Sequence, residues 1–356
     1  MKHSSSSLIF ASLLLLLLFY FNIGMVRAEA NLNSASIDVI RTVQVEDGGG
    51  LIINETVIIS ADLSQNVGSI DKFYIGFPNG YEKNLDYVFA YDLSGRLEIS
   101  LDVDVGEAKF YWIEVSFPEV DLSGGVSYNF TVVFVFSELV VSYGENFLVD
   151  FPLYPSLTVD ADSCNVTVIL PPNATCIYAS PEYANATIDS HQVLSVTKSP
   201  LENLSDASSI IVFSSEYPFL LVEIGELKRE IRLDGWGNLI ATDLYLITNH
   251  ASEPLYEISF CLPLNATGIS VQDIYGELGK NVRDEGTYTN VTVSLREALE
   301  TGKEEKILIA YRLPFGVYVE RIGWEDYTLN ISLVRPYNWT IRKLVCLLYT
   351  SDAADE

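Results

Sequence analysis

A β-hairpin that occurs twice constrains this chain more than any other feature of its sequence. Residues 226–249 read ELKREIRLDGWGNLIATDLYLITN, and residues 37–60 read IDVIRTVQVEDGGGLIINETVIIS. Each copy has an alternating apolar run, an Asp-Gly step (Asp47-Gly48 and Asp234-Gly235) with further glycine just after it, and a second alternating run. Alternation with period two buries one face of a strand, and Asp-Gly between two such runs is a strong local hairpin signal.

Two further correspondences follow in the same order. The segment Asp92-Leu-Ser-Gly95-Arg-Leu97 answers Asp273-Ile-Tyr-Gly276-Glu-Leu278, and 122–136 (LSGGVSYNFTVVFVF) answers 299–313 (LETGKEEKILIAYRL). Taken from Asp47, Asp92 and Leu122, the separations are 187, 181 and 177 residues, a drift expected of loop-length changes between two copies of one domain. The remaining pattern is short runs rich in Val, Ile, Phe, Tyr and Thr: 110–117, 129–136, 165–170, 210–213, 220–222, 242–247, 308–313 and 327–334. Clusters of Gly, Pro, Asn and Asp separate them, which is the pattern of β-sandwiches. The best helical stretch is 295–301, about two turns ending at Gly302. The apolar pattern pauses at 214–218. The expected fold is therefore mainly β: two tandem, related β-sandwich-like domains, 37–215 and 221–345, the second incomplete.

The two ends are read separately. Residues 1–28 form a secretory signal, with Lys2 in a short polar region, an apolar block over 8–23 and small-residue cleavage positions at Ala28 or Ala30. An uncleaved anchor is the other reading of that block, and both export the rest. Residues 346–356, CLLYTSDAADE, match the translation of a transposon-type sequencing adapter and are set aside as a fusion scar. On this reading Val345 corresponds to the neighbourhood of Cys164. The second copy then stops where the first continues into 165–170 and 210–213, leaving it with open strand edges.

Between those ends, 29–345 carries 19 Lys+Arg and 45 Asp+Glu, a net charge of −26 once Lys2, Arg27, Asp352, Asp355 and Glu356 are removed. Nucleic acid is excluded as a partner class, since phosphate binding needs clustered Lys and Arg. Cys164, Cys176 and Cys261 are an odd set and make no disulfide framework; a bridge between Cys164 and Cys176 is possible in an oxidising compartment, and buried free thiols are the alternative.

Catalytic patterns are missing from the sequence. His191 and His250 have no second His at metal-ligand spacing, no Cys-x-x-Cys occurs, and there is no Gly-x-Ser-x-Gly elbow. Ser195-Val-Thr-Lys198 matches Ser-x-x-Lys without the companion motifs. Asp102/Asp104 and Asp160/Asp162 place two carboxylates on one strand face, which could hold calcium but more often marks a solvated edge. Trp236 is read as a lid over a sandwich core, with sugar stacking as the rarer role. Ten Asn-x-Ser/Thr sequons (Asn54, Asn129, Asn165, Asn173, Asn185, Asn203, Asn265, Asn290, Asn330 and Asn338) suit an exported glycoprotein.

The stretch Arg229-Glu-Ile231-Arg-Leu233-Asp-Gly-Trp236-Gly237-Asn238 resembles the Arg-x-Ile-x-Val-x-x-Trp-Gly-Asn segment of ribophorin I, a subunit of the oligosaccharyltransferase. Tyr311-Arg-Leu313-Pro314 resembles the family's Tyr-x-Leu-Pro, with the Gly-Asp-x-Tyr-x-Leu-like 323–334 beyond it; in the first copy 169–183 is similar to its Ile-Leu-Pro strand and Ser-Pro. The resemblance implies paired β domains on the outer face, a membrane anchor beyond residue 345, no catalytic residue, no metal and no cofactor in this subunit, and a multi-spanning catalytic subunit as partner. Strong acidity and Gly48-Gly-Gly50 in the first hairpin depart from the eukaryotic pattern and suit an archaeal-type homologue. The expected function is an extracytoplasmic, non-catalytic accessory or scaffold subunit in protein N-glycosylation. The alternative is a cell-surface binding or adhesion module of β-sandwich repeats.

Overall fold

A computed structural model describes residues 32–62, 67–215, 221–324, 326–331 and 339–350. The signal segment and Asn338 lie outside the described residues. Among the described residues no helix is long and apolar enough to cross a membrane.

The first half builds fifteen strands: β1 (Ser36–Val45), β2 (Leu51–Ser60), β3 (Ser69–Pro78), β4 (Leu85–Asp92), β5 (Gly95–Leu101), β6 (Phe110–Asp121), β7 (Ser127–Phe136), β8 (Val140–Tyr143), β9 (Asn146–Pro152), β10 (Ser156–Leu157), β11 (Ser163–Pro172), β12 (Ala174–Ser180), β13 (Ala184–Ile188), β14 (His191–Lys198) and β15 (Ser208–Ser215). Strand β2 shows why. Leu51, Ile53, Glu55, Val57 and Ile59 are buried, and the residues between them are half-buried on the other face, as a pleat with period two requires. Its neighbours β1 and β7 pair with it along their full length in antiparallel register.

The main sheet of this half runs β10-β3-β6-β5-β4-β7-β2-β1-β11-β14-β13, and a second runs β12-β15-β9-β8. Strand β5 joins the two faces of the sandwich by pairing with β4 through 95–97 and with β6 through 98–101. The later strands pair with earlier ones: β11 lies parallel to β1, and β15 lies against β9. Rings of Phe73, Phe77, Phe130, Phe134 and Phe136 pack across the interior.

The second half continues with β16 (Val222–Leu233), β17 (Leu239–Asn249), β18 (Leu255–Leu262), β19 (Thr267–Asp273), β20 (Gly276–Glu277), β21 (Gly279–Asp284), β22 (Thr289–Leu299), β23 (Glu304–Leu313), α1 (Phe315–Tyr318), β24 (Val319–Arg321), β25 (Tyr327–Leu329), β26 (Thr340–Ile341) and β27 (Leu344–Thr350). Its principal sheet runs β20-β19-β23-β17-β16, with β26 and β27 both on the outer edge of β16. This repeats β5-β4-β7-β2-β1-β11 strand for strand, down to the parallel pairing at the end. The opposing face is β18-β22-β21, the counterpart of β3-β6 with the second part of β5.

The turns repeat as closely as the strands. In Asp92–Gly95 and Asp273–Gly276 the Asp Oδ1 accepts the amides two and three residues on, and Gly95 and Gly276 have φ of 132° and 135°. The hairpin loops Glu46–Gly50 and Asp234–Asn238 share one hydrogen-bond pattern, with Gly49 (φ 80°) and Gly237 (φ 78°) at the same position. Such three-residue loops end in a left-handed residue that glycine adopts without strain.

Structure corrects the sequence reading at five points. Glu46, not Asp47, is the counterpart of Asp234, so from Glu226 onward the hairpins stand 188 residues apart, with one extra residue in β16 before it. The stretch 295–301 is no helix: its first part lies in β22, where Thr289, Val291 and Val293 alternate inward. The edge of β16, expected to lie open, is paired with β27, whose Cys346–Thr350 stand opposite Arg229 to Leu233 in the place of β11. Of the run 327–334 only Tyr327–Leu329 is strand, and 332–334 lies outside the described residues. Leu221, placed in the second domain, packs into the first core.

No sheet among the described residues mixes strands from the two halves, and each half has its own buried cluster. Contacts join them at a few places. A methyl group on Gly49 would come within 2.5 Å of Leu221 Cδ2. Arg342 donates to Glu223 (2.6 Å) and to Glu138 (2.5 Å), and Asp86 is 3.5 Å away. Such half-exposed ion pairs contribute less to stability than the cores on either side.

Candidate functional site

Arg229 lies on the inward face of β16 and is 1% exposed. Its Nε and Nη2 donate to the two oxygens of Asp243 at 2.6 and 2.7 Å, across a directly opposed strand pair. Tyr311 on β23 donates to Asp243 Oδ2 at 3.0 Å, and Tyr245 reaches the same oxygen at 3.4 Å. Burial works against the Arg229 charge, but the hydrogen bond and charge of Asp243 outweigh it and raise the pKa. Burial and the Asp243 charge push the Tyr311 phenol well above its ordinary value. A fork-to-fork Arg–carboxylate pair of this kind fixes register as well as energy.

The first half carries the same device. Arg41 donates through Nε and Nη2 to Glu55 Oε2 at 3.2 and 2.7 Å, and through Nη1 to the Pro152 carbonyl at 2.6 Å. Glu55 Oε1 is buried without a partner, and burial raises the Glu55 pKa against the pull of Arg41. Where the second half has Tyr245 and Tyr311, the first has Val57 and Phe134 at equivalent positions and supplies no hydroxyl.

The residues that carry the resemblance divide into two sets. Arg229, Ile231, Tyr311 and Leu313 are buried and hold the second core together. Trp236, Gly237, Asn238 and Pro314 gather at one end of the sheet, because β17 and β23 pair from Leu239 opposite Leu313 and so bring the 234–238 loop beside Pro314. Asp234 accepts the Trp236 amide (3.0 Å), the Asn238 amide (2.8 Å) and Asn238 Nδ2 (2.7 Å), and its carboxyl is held below the usual range, first by the Asn238 side chain. Trp236 is 83% exposed, so it is not a lid over the core; the tight loop turns its indole outward.

Beside it opens a cleft of about 460 Å³, lined by Gly237, Asn238, Asn265, Arg312, Pro314, Phe315 and Val317 among others. A methyl group on Gly237 would touch Phe315 Cδ2 at 3.8 Å, and Phe315 meets Tyr327 edge-on at 6.2 Å. Val317 and Tyr327 are 57% and 51% exposed. Arg312 lies between β17 and β19 with its stem against Gly268. An apolar floor with a few convergent polar groups is the ordinary composition of a small-molecule or glycan pocket. Two other clefts, about 330 and 710 Å³, lie between the halves and contain none of the motif residues.

The remaining sites separate. Asp102 has a left-handed backbone (φ 53°) beyond the end of β5, so it shares no strand face with Asp104. Asp160 and Asp162 flank an isolated bridge at Ala161 and bind the Asn203 amide and the Ser36 hydroxyl. Ser195 and Lys198 lie on β14, with His191 at its start. His250 faces Glu223 at 3.5 Å. Among the described residues no group of three or more His, Cys, Asp or Glu is placed to hold a metal.

Cys164 and Cys176 form no bridge. Cys164 pairs with Lys198 near the start of β11, whereas the Cys176 amide is bound by Gln192 at the other end of β14. Six strand residues span about 20 Å, far beyond a disulfide's reach. Burial pushes the Cys164 thiol up to about 12. Thiol titration of the folded protein at pH 8 is therefore expected to leave Cys164 unmodified, and denaturant to expose it. Cys164→Ala should remove a loss of stability that begins near the ordinary thiol pKa and runs to the raised folded value; prompt labelling of Cys164 in the native state would contradict the packing described.

Of the sequon asparagines, Asn129, Asn165, Asn173, Asn185, Asn203, Asn265 and Asn330 are exposed, while Asn54 and Asn290 are half-buried on central strands.

No family model matches the sequence, and no curated protein does. Solved structures do. An aminopeptidase N family protein from Idiomarina loihiensis matches with TM-score 0.32 and 11% identity, over 53% of this chain and 30% of that one. An M1 zinc metallopeptidase from Deinococcus radiodurans matches with TM-score 0.31 and 17% identity, over 56% of this chain and 43% of that one. The chain spans less than half the length of either, and at these scores nothing of their chemistry transfers to it.

Proposed function

We propose that the chain is an extracytoplasmic, non-catalytic accessory subunit resembling ribophorin I, acting beside a membrane oligosaccharyltransferase in protein N-glycosylation. The observation that carries this reading is the convergence of the motif residues. Trp236-Gly237-Asn238 and Leu313-Pro314, far apart in sequence, meet at one end of the second sheet, while Arg229 and Tyr311 of the same motifs meet at one buried carboxylate. The residues that carry the resemblance thus fall into one structural unit, part of it surface. A duplicated β domain in an acidic, sequon-rich chain fits the same role.

The test is affinity purification of the full chain from its native membrane. A multi-spanning oligosaccharyltransferase subunit should be recovered with it, and the purified chain alone should not turn over a lipid-linked oligosaccharide. Repeated recovery of surface-layer proteins only would favour the adhesion reading.

A further inference from the structure

We propose that Asn265 carries an N-linked glycan and that its first sugars lie in the cleft beside Trp236, covering Phe315 and Val317. The inference rests on the export part of the reading above and goes beyond it, since it holds whether or not the chain binds an oligosaccharyltransferase.

Asn265 occupies the third position of a turn in which the Ala266 amide donates to the Pro263 carbonyl at 3.2 Å, and its φ is 61°. A turn with a left-handed third residue favours Gly or Asn, so Asn here suits the backbone, and its side chain is exposed. The turn is pinned from below: Tyr318 donates to the Leu264 carbonyl at 2.7 Å, and Ala266 is buried. Asn265 and Thr267, the two residues a transferase must reach, are both exposed. The turn itself calls for Asn but not for Thr267.

Position separates Asn265 from the other sequons. It lines the cleft, whereas Asn129, Asn165, Asn173, Asn185, Asn203 and Asn330 do not. A sugar joined to its Nδ2 starts at the cleft wall with Val317 and Phe315 before it, apolar surfaces suited to the C–H faces of a pyranose. Arg312 and Asn238 stand at the rim as hydrogen-bond donors to its hydroxyls. A fixed glycan would cover the apolar wall made by Phe315 and the 57% exposed Val317, next to the loop that carries the 83% exposed Trp236. Chemically, the Asn265 nitrogen bonds to the anomeric carbon of a lipid-phosphate-linked oligosaccharide; the anomeric C–O bond breaks, the lipid phosphate leaves, and the amide gives up one proton.

The experiment uses the full chain secreted by an N-glycosylating host, with Trp324→Phe to remove the other strongly exposed indole. Site occupancy is read by glycopeptide mass spectrometry, and Trp236 accessibility by acrylamide quenching. Asn265 is expected to be occupied and Trp236 shielded. In Asn265→Gly, which keeps the left-handed turn, the glycan and the shielding should both be lost; in Thr267→Ser, which keeps the sequon, neither should be. Occupancy at other sequons but not at Asn265 overturns the proposal, as does an occupied Asn265 with Trp236 quenched equally in the Gly variant. No occupancy anywhere overturns it together with the export reading.

Discussion

Arg229→Ala is expected to destabilise the second half by about 3–5 kcal/mol, the range for removing one partner of a buried ion pair. The cost comes from what remains. Asp243 is fully buried and would keep only phenolic donors from Tyr311 and Tyr245 against its charge. Replacing both partners, as in Arg229→Met with Asp243→Leu, should recover most of the loss, because the desolvation of two charges disappears together with their attraction. Urea unfolding of the single and double variants decides the matter: a single variant within about 1 kcal/mol of the parent would mean that the pair is water-exposed in solution.

Arg41→Ala should act in the same direction in the first half, on a pair that is less well satisfied. Glu55 Oε1 has no hydrogen-bond partner, whereas Asp243 receives hydroxyls on top of the guanidinium. The buried pair is thus copied in position, with different partners around it. Its residues also explain why charged side chains occupy inward positions of otherwise apolar strands: each fixes the register of one hairpin, where a one-residue slip would turn the whole apolar set outward.

That copy was legible in the sequence only in part. The alternating runs and the glycine turns gave the hairpins away, and three correspondences in sequence order marked the duplication; the order of the strands in the sheets was not read. The ion pairs were missed, although Arg41 and Glu55, like Arg229 and Asp243, fall on the inward phase of their runs and face each other across the loop. The Asp-Gly steps drew the alignment one residue out, because Asp47 follows the loop's first residue while Asp234 is that residue. The 295–301 stretch misled because Glu, Ala and Leu favour helix, whereas the chain carries β22 on through a register shift and pairs again at Leu299 opposite Leu255. The cleft could not be read, since Arg312, Phe315 and Val317 become its wall only when β23 and α1 fold back beside the 234–238 loop.

Two separate cores make the second large effect specific to one half. Phe77 is 1% exposed on β3 and its ring meets Tyr111 at 5.4 Å, Phe134 at 5.9 Å and Phe136 at 5.3 Å. Phe77→Ala removes a side chain touched by three other rings and leaves a cavity that rigid β strands close only partly, so a loss of about 3–5 kcal/mol is expected. Phe77→Leu, which keeps most of the volume, should cost clearly less. Because none of these rings reaches the second core, calorimetry should show one unfolding transition lowered by Phe77→Ala and the other lowered by Arg229→Ala. A single transition shifted equally by both would mean that the Leu221 and Arg342 contacts weld the halves into one cooperative unit, in spite of their separate sheets.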